Sequence, residues 1–265
     1  MKSNDKALIL LITLLAITSI TLMGLLISKK DNIDPESNLI LQLHNYFNSE
    51  KNENCKGLFN YSDKLVEYND IDEKSRLCFA YQKAELEDIE TVTVKANKKK
   101  DVCTIEKNII FKSDENKKVC TYKKIKRELI DNSYKTLFGN NVDVNDAFMA
   151  DNKTICYLKG DYYYCGLSET FTYTFGGESY IYRVIERAVE KSSDIIIYDY
   201  FIRINDDICY KNYTTAKLNE KCNENYSSKT NIDFKFMKKY AAKYKHIYKQ
   251  NEDGTYHWVS SEPIN

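Results

Sequence analysis

Two prolines, Pro35 and Pro263, are all that 265 residues contain. A proline-rich linker or stiff spacer between domains is therefore excluded. Tryptophan is as scarce, with Trp258 alone, and there are three histidines. No C-x-x-C occurs, which removes a thioredoxin-like redox site. The nearest cysteines stand nine positions apart and the histidines are scattered. That spacing does not suit zinc, whose structural sites use close pairs of ligands. The sequence has no G-x-S-x-G, no H-E-x-x-H and no P-loop. No cofactor, metal or catalytic residue is expected. An excess of positive charge is missing too: 39 basic residues balance 39 acidic ones. Past residue 30 the balance is 35 to 38, which is not the footprint of a nucleic-acid binder.

One run carries no charge, no proline and no cysteine. Ala7 to Ser28 reads ALILLITLLAITSITLMGLLIS. As a helix its 22 residues rise about 33 Å, enough to cross a ~30 Å hydrocarbon core. A cleaved signal peptide has a shorter apolar stretch and a small-residue cleavage site. This run ends in Ile27-Ser28-Lys29-Lys30 without one. Residues 1–30 are therefore expected to be a short cytoplasmic tail and an uncleaved signal anchor, with residues 7–28 in the membrane. Lysines flank both ends, so charge alone does not orient the span.

The cysteines orient it. Cys55, Cys78, Cys103, Cys120, Cys156, Cys165, Cys209 and Cys222 all follow the run. Disulfides persist in oxidising compartments and are rare in cytosol. The expected topology is N-terminus inside and body extracytoplasmic, in the plasma membrane. Eight cysteines allow on the order of a hundred pairings, and sequence does not choose strictly among them. Local spacing favours Cys156 with Cys165 about a Lys159-Gly160-Asp161 turn. It favours Cys103 with Cys120 and Cys209 with Cys222 as loop staples, leaving Cys55 with Cys78.

The body reads as an anterior α+β region, 31–139, and a posterior α+β region with a curved sheet, 140–265; the two can also form one domain. In the anterior region, helices are expected from Ser37 to about Phe47, Glu73 to Asp88 and Lys124 to Phe138. Gly139 stands where a left-handed C-cap belongs. Strands are expected at Thr91–Val94, Val102–Ile105, Ile109–Phe111 and Val119–Tyr122. In the posterior region, one helical turn is expected near Ala147 and a strand over 170–175. Ile181, Val184, Ile185, Ala188 and Val189 fall on one stripe of a helix capped by Ser179. Asp194 to Ile204, DIIIYDYFIRI, is the most hydrophobic strand. Ile232 to Tyr244 is expected to be a last helix. Asp253-Gly254 between alternating runs marks a hairpin. The whole is α+β: an anchor helix, then a disulfide-stapled antiparallel sheet packed with helices. This order is similar to cone-shaped NTF2-like or cystatin-like folds, which implies a concave sheet face able to hold a ligand.

The stretch from Tyr244, YKHIYKQNEDGTYHWVSSEP, resembles the end of uncharacterised membrane-anchored extracytoplasmic proteins of low-GC Gram-positive bacteria. Thr136-Leu137-Phe138-Gly139 and the Asp194–Ile204 strand resemble them too. The resemblance spans roughly residues 120–265 and implies no known activity.

Asp199 interrupts an apolar strand, and a carboxylate facing a sheet interior is either paired or functional. Left unpaired it would have a raised pKa. The bland reading is a solvent-facing residue, or one satisfied by a lysine or tyrosine. Tyr162 and Tyr164, with Tyr163 and Tyr157, could form an aromatic platform for a glycan or peptide, though tyrosine-rich strands are more often plain sheet packing. His257 and Trp258 fall on opposite faces of the last strand, and His246 is expected across from it at the surface. Two functions follow. One is an envelope binding or interaction module for a protein, glycan or small ligand, with Asp199, Tyr162 and Tyr164 as candidate contacts. The alternative is an envelope hydrolase that uses acidic residues.

Overall fold

The computed structural model describes residues 31–47, 55, 59–84, 86, 89–97, 101–114, 118–143, 147–170, 179–205, 208–211, 221–222 and 231–264. The expected span 7–28 and the expected strand beyond Thr170 lie outside them. Among the described residues no helix is long and apolar enough to cross a membrane.

In chain order the elements are β1 (Asp31–Ile33), α1 (Asn38–His44), β2 (Val66–Glu67), α2 (Glu73–Lys83), β3 (Glu90–Lys95), β4 (Val102–Glu106), β5 (Ile109–Lys112), β6 (Val119–Lys126), α3 (Arg127–Phe138), β7 (Ala147–Met149), β8 (Thr154–Lys159), β9 (Tyr162–Leu167), β10 (Ser179–Lys191), β11 (Asp194–Asn205), β12 (Ile208–Tyr210), α4 (Phe234–Tyr240), β13 (Ala242–Gln250) and β14 (Tyr256–Ile264). Short 3-10 turns lie at Phe59–Tyr61 and Tyr68–Asp70.

The larger sheet runs β1-β10-β11-β13-β14-β2, with β12 extending beside β11. The second runs β3-β6-β9-β8-β7, and β4 and β5 form a separate hairpin. Every pairing is antiparallel. Each sheet takes strands from both sides of residue 140. The molecule is thus α+β and dominated by antiparallel sheet.

A helical layer lies between the sheets: α2 packs on α3, α3 meets β14 and α2 meets β7. Their signals are local. Asp72 caps α2, its carboxylate accepting from Ser75 N at 3.0 Å. Gly139 ends α3 in the left-handed conformation at φ +69°, as its position after Phe138 predicts. Phe47 is the hub of the shared core. Its ring lies 4.9 Å from Phe59, 5.3 Å from Phe79 and 5.8 Å from both Phe138 and Trp258. Each such pair contributes about 0.5–1.5 kcal/mol beyond burial alone.

All eight cysteines pair: Cys55–Cys78, Cys103–Cys120, Cys156–Cys165 and Cys209–Cys222. These are the pairs that local spacing favours.

Three expectations are corrected. Residues 179–191 form strand β10, not a helix. The β-branched and aromatic residues Tyr180, Ile181, Tyr182, Val184, Ile185 and Val189 suit a pleated surface, and β11 offers a full-length partner. The region near Ala147 is strand β7, because Phe148 is buried opposite Cys156. The last helix stops at Tyr240, and strand β13 takes over from Ala242. There Tyr244, His246 and Tyr248 alternate inward, a period of two that a helix cannot satisfy.

Candidate functional site

Strand β11 buries Ile195, Ile197, Asp199, Phe201 and Arg203 on one face. Asp199 has no exposed surface. Its Oδ2 accepts from the Tyr61 hydroxyl at 2.5 Å and lies 2.7 Å from His44 Nε2. Its Oδ1 lies 3.1 Å from His246 Nε2. Three elements deliver these donors. His44 is the last residue of α1, which Ile40, Leu43 and Phe47 hold in the core. His246 points inward from β13, which pairs with β11. Tyr61 closes a 3-10 turn, and its ring stacks on Phe201 at 4.2 Å.

The network has one consistent direction, and it assigns the ring protons. Trp258 Nε1 donates to Ser261 Oγ at 2.8 Å. Ser261 Oγ lies 2.7 Å from His246 Nδ1 and, against a neutral imidazole whose Nε2 proton faces Asp199, it is the donor. A charged carboxylate receiving three donors is fully compensated. Arg183 lies beside Tyr61 and His44 and donates to the His44 carbonyl oxygen at 3.0 Å.

Burial alone would push the Asp199 carboxyl up. The His246 and His44 imidazoles outweigh that and hold it well below the usual carboxylate range. The raised pKa expected of an unpaired carboxylate is therefore corrected: Asp199 is paired. Burial pushes His44 below its ordinary value, against its hydrogen bond to Asp199. Burial and the neighbouring Asp199 charge push the Tyr61 hydroxyl well up.

Ser261, His246 and Asp199 stand in the order of a nucleophile, a base and an orienting acid. The surroundings do not suit that chemistry. Ser261 and His246 are each 1% exposed, and the Trp258 N–H occupies the serine oxygen. Clefts of about 560, 420 and 350 Å³ lie elsewhere and include none of these residues. As it stands, the cluster can hold α1 and the 59–61 turn to the sheet and can store or release protons. Among the described residues it has almost no surface open to a substrate.

The other candidate residues lie in the second sheet. Tyr162 and Tyr164 share one face of β9, and Tyr163 turns into the core. The Lys124 ammonium stands 4.3 Å over the Tyr162 ring. Tyr164 pairs across the hairpin with Tyr157 and lies 6.0 Å from Tyr122. The β4–β5 hairpin covers part of this row through Phe111, whose ring stacks on Tyr122 at 5.6 Å. Tyr162 lines the cleft of about 350 Å³ with Glu90, Lys124, Lys126 and Glu128. Asp199 and the tyrosines are thus not brought together.

His257 and Trp258 do face opposite ways, with Trp258 buried. His246 is corrected from the surface to the core. The alternation Tyr244, His246, Tyr248 carried that signal. Nothing local in the sequence marks His44 or Tyr61, which reach Asp199 across 155 and 138 residues. Among the described residues no three His, Cys, Asp or Glu side chains gather to hold a metal ion.

No family model, no curated protein and no solved structure matches this chain.

Proposed function

We propose that the chain is a membrane-anchored extracytoplasmic binding module. The observation that carries this reading is the cysteine pattern: all eight, each placed after the apolar run 7–28, lie in intrachain disulfides. Such a set is stable outside the cytosol. A place among envelope proteins of low-GC Gram-positive bacteria fits it, as does the sheet with α1 across its buried face, similar to cystatin-like or NTF2-like folds. The candidate contact surface is the cleft at Tyr162, where an aromatic ring meets paired lysine and glutamate side chains. A glycan or peptide would find both stacking and hydrogen bonding there. The alternative, a hydrolase using acidic residues, has Asp199 as its best acid, and burial of that carboxylate speaks against it.

The test is fractionation of intact cells. The chain should resist carbonate extraction from membranes, and protease added outside should cut its body. Non-reducing mass mapping should link Cys156 to Cys165. Recovery in the soluble fraction, or eight free thiols, would overturn the reading.

A further inference from the structure

We propose that the end of the molecule formed by the Lys191–Asp194 and Asn251–Gly254 turns rests on the lipid headgroup layer of its own membrane. This orientation rests on the anchor reading of residues 7–28. The argument begins at β1. Asp31 lies opposite Glu190 and Ile33 opposite Ala188. The chain therefore enters the larger sheet at the β10–β11 turn and runs away from it. Ser28, the last residue of the apolar run, stands three residues before Asp31. Three residues span at most about 10 Å. A body tethered there keeps this end within about 10 Å of the anchor unless β1 unpairs from β10.

The second turn lies at the same end, because Asp194 is opposite Lys249 and Gln250 opposite Tyr256. The C-terminal end of α3 joins it: Lys135 and Gly139 line a cleft of about 560 Å³ with Asn251 and Asp253. The chemistry of this end suits headgroups rather than acyl chains. Glu190, Lys191, Ser192, Ser193, Glu252 and Asp253 are all exposed. They bring both signs of charge and no large apolar side chain.

The far end follows from strand length. The 12 residues of β11 span about 40 Å at ~3.3 Å each. Alongside the far half of that strand stand the Cys209–Cys222 bridge, α4 and the exposed rings of Tyr180, Tyr182 and Phe234. The polar end is held to the bilayer, and the aromatic end faces outward.

The experiment uses the full chain in bilayer discs containing headgroup-labelled acceptor lipid. One fluorophore is placed at Glu252→Cys, another at Lys238→Cys. Transfer to the lipid should be several-fold stronger from position 252. Lysine acylation of the unsubstituted chain gives a second reading. Lys191 should be protected in discs relative to detergent, while Lys238 and Lys239 should not. A chain that stays in the discs with equal or reversed transfer, or with Lys191 unprotected, overturns the orientation alone. A chain that leaves the discs overturns the anchor and the orientation together.

Discussion

Asp199 gathers donors from three separate elements of the fold. Replacing it with asparagine keeps the shape and removes the charge. It also turns one accepting oxygen into an N–H₂ that faces histidine or tyrosine donors. No charge is stranded, but two buried donors lose their acceptor, each at about 1–3 kcal/mol. At ~2–4 °C per kcal/mol for a body of this size, Asp199→Asn should lower Tm by on the order of 10 °C. An unchanged Tm would sink the account of the cluster as a clamp. Beside His257, which burial also lowers, His44 supplies the pH dependence. Its folded pKa lies below 6.5, so the unfolded chain takes up the proton first. Stability is then full above about pH 6.5 and falls as pH drops below it. Asp199, held low, adds a further loss below about pH 4. Tyr61 acts at the other extreme: its raised value removes stability as pH climbs past 10. The wild-type chain should melt lower at pH 5 than at pH 7. His44→Gln, which keeps an N–H for Asp199, should flatten that difference, and equal slopes in the two proteins would exclude His44 as the cause. The sequence marked Asp199 because a charge inside an apolar strand must find a partner. It did not mark the partners, since nothing local ties a helix end or a 3-10 turn to a strand more than a hundred residues away.

At the scale of elements, β10 shows how a strand can read as a helix. Ile185 and Asp199 pair, Arg187 and Tyr198 pair, and Glu186 bulges between them. A bulge adds one residue and shifts the alternation. The inward apolar positions Ile181, Ile185 and Ala188 are then spaced by four and three. Those are the spacings of a helix face, so the sequence pattern was real and its cause was a different geometry. Where alternation is unbroken, as along the inward face of β11, the strand was legible. The β13–β14 hairpin was legible too, though β13 begins inside the stretch that reads as helix and β14 bulges at Val259. So were α2 and α3, each with its capping residue in place. The second sheet depends on a close approach that composition did not reveal. A Cβ on Gly166 would stand 2.8 Å from the Phe111 ring. Gly166→Ala should therefore lift the β4–β5 hairpin from the sheet. Faster proteolysis within residues 101–114, with the region around Asp199 still protected in hydrogen exchange, is the expected result. An alanine variant as resistant as wild type would show that Phe111 does not hold the hairpin down.

For the molecule as a whole, the four disulfides and the two sheets close on different ranges. The cysteine pairs are 23, 17, 9 and 13 residues apart and none overlaps another. The pairings were legible in the sequence for that reason. The sheets join β1 to β10 and β2 to β14, pairings that no local pattern announces. If the body is exported as proposed, with the N-terminus held inside, this division sets a timetable as its segments emerge in chain order. Each cross-link can close as soon as its own short loop emerges, in the order 55–78, 103–120, 156–165, 209–222, with no wrong partner yet oxidised and no shuffling to undo. The core waits longer. His246, and the Ser261 and Trp258 that back it, arrive on the last two strands, so the Asp199 carboxylate lacks its full set of donors until nearly the whole chain has been made. On that reading the body would be stapled at four places while still open along its largest sheet, and β14 is the piece that shuts it.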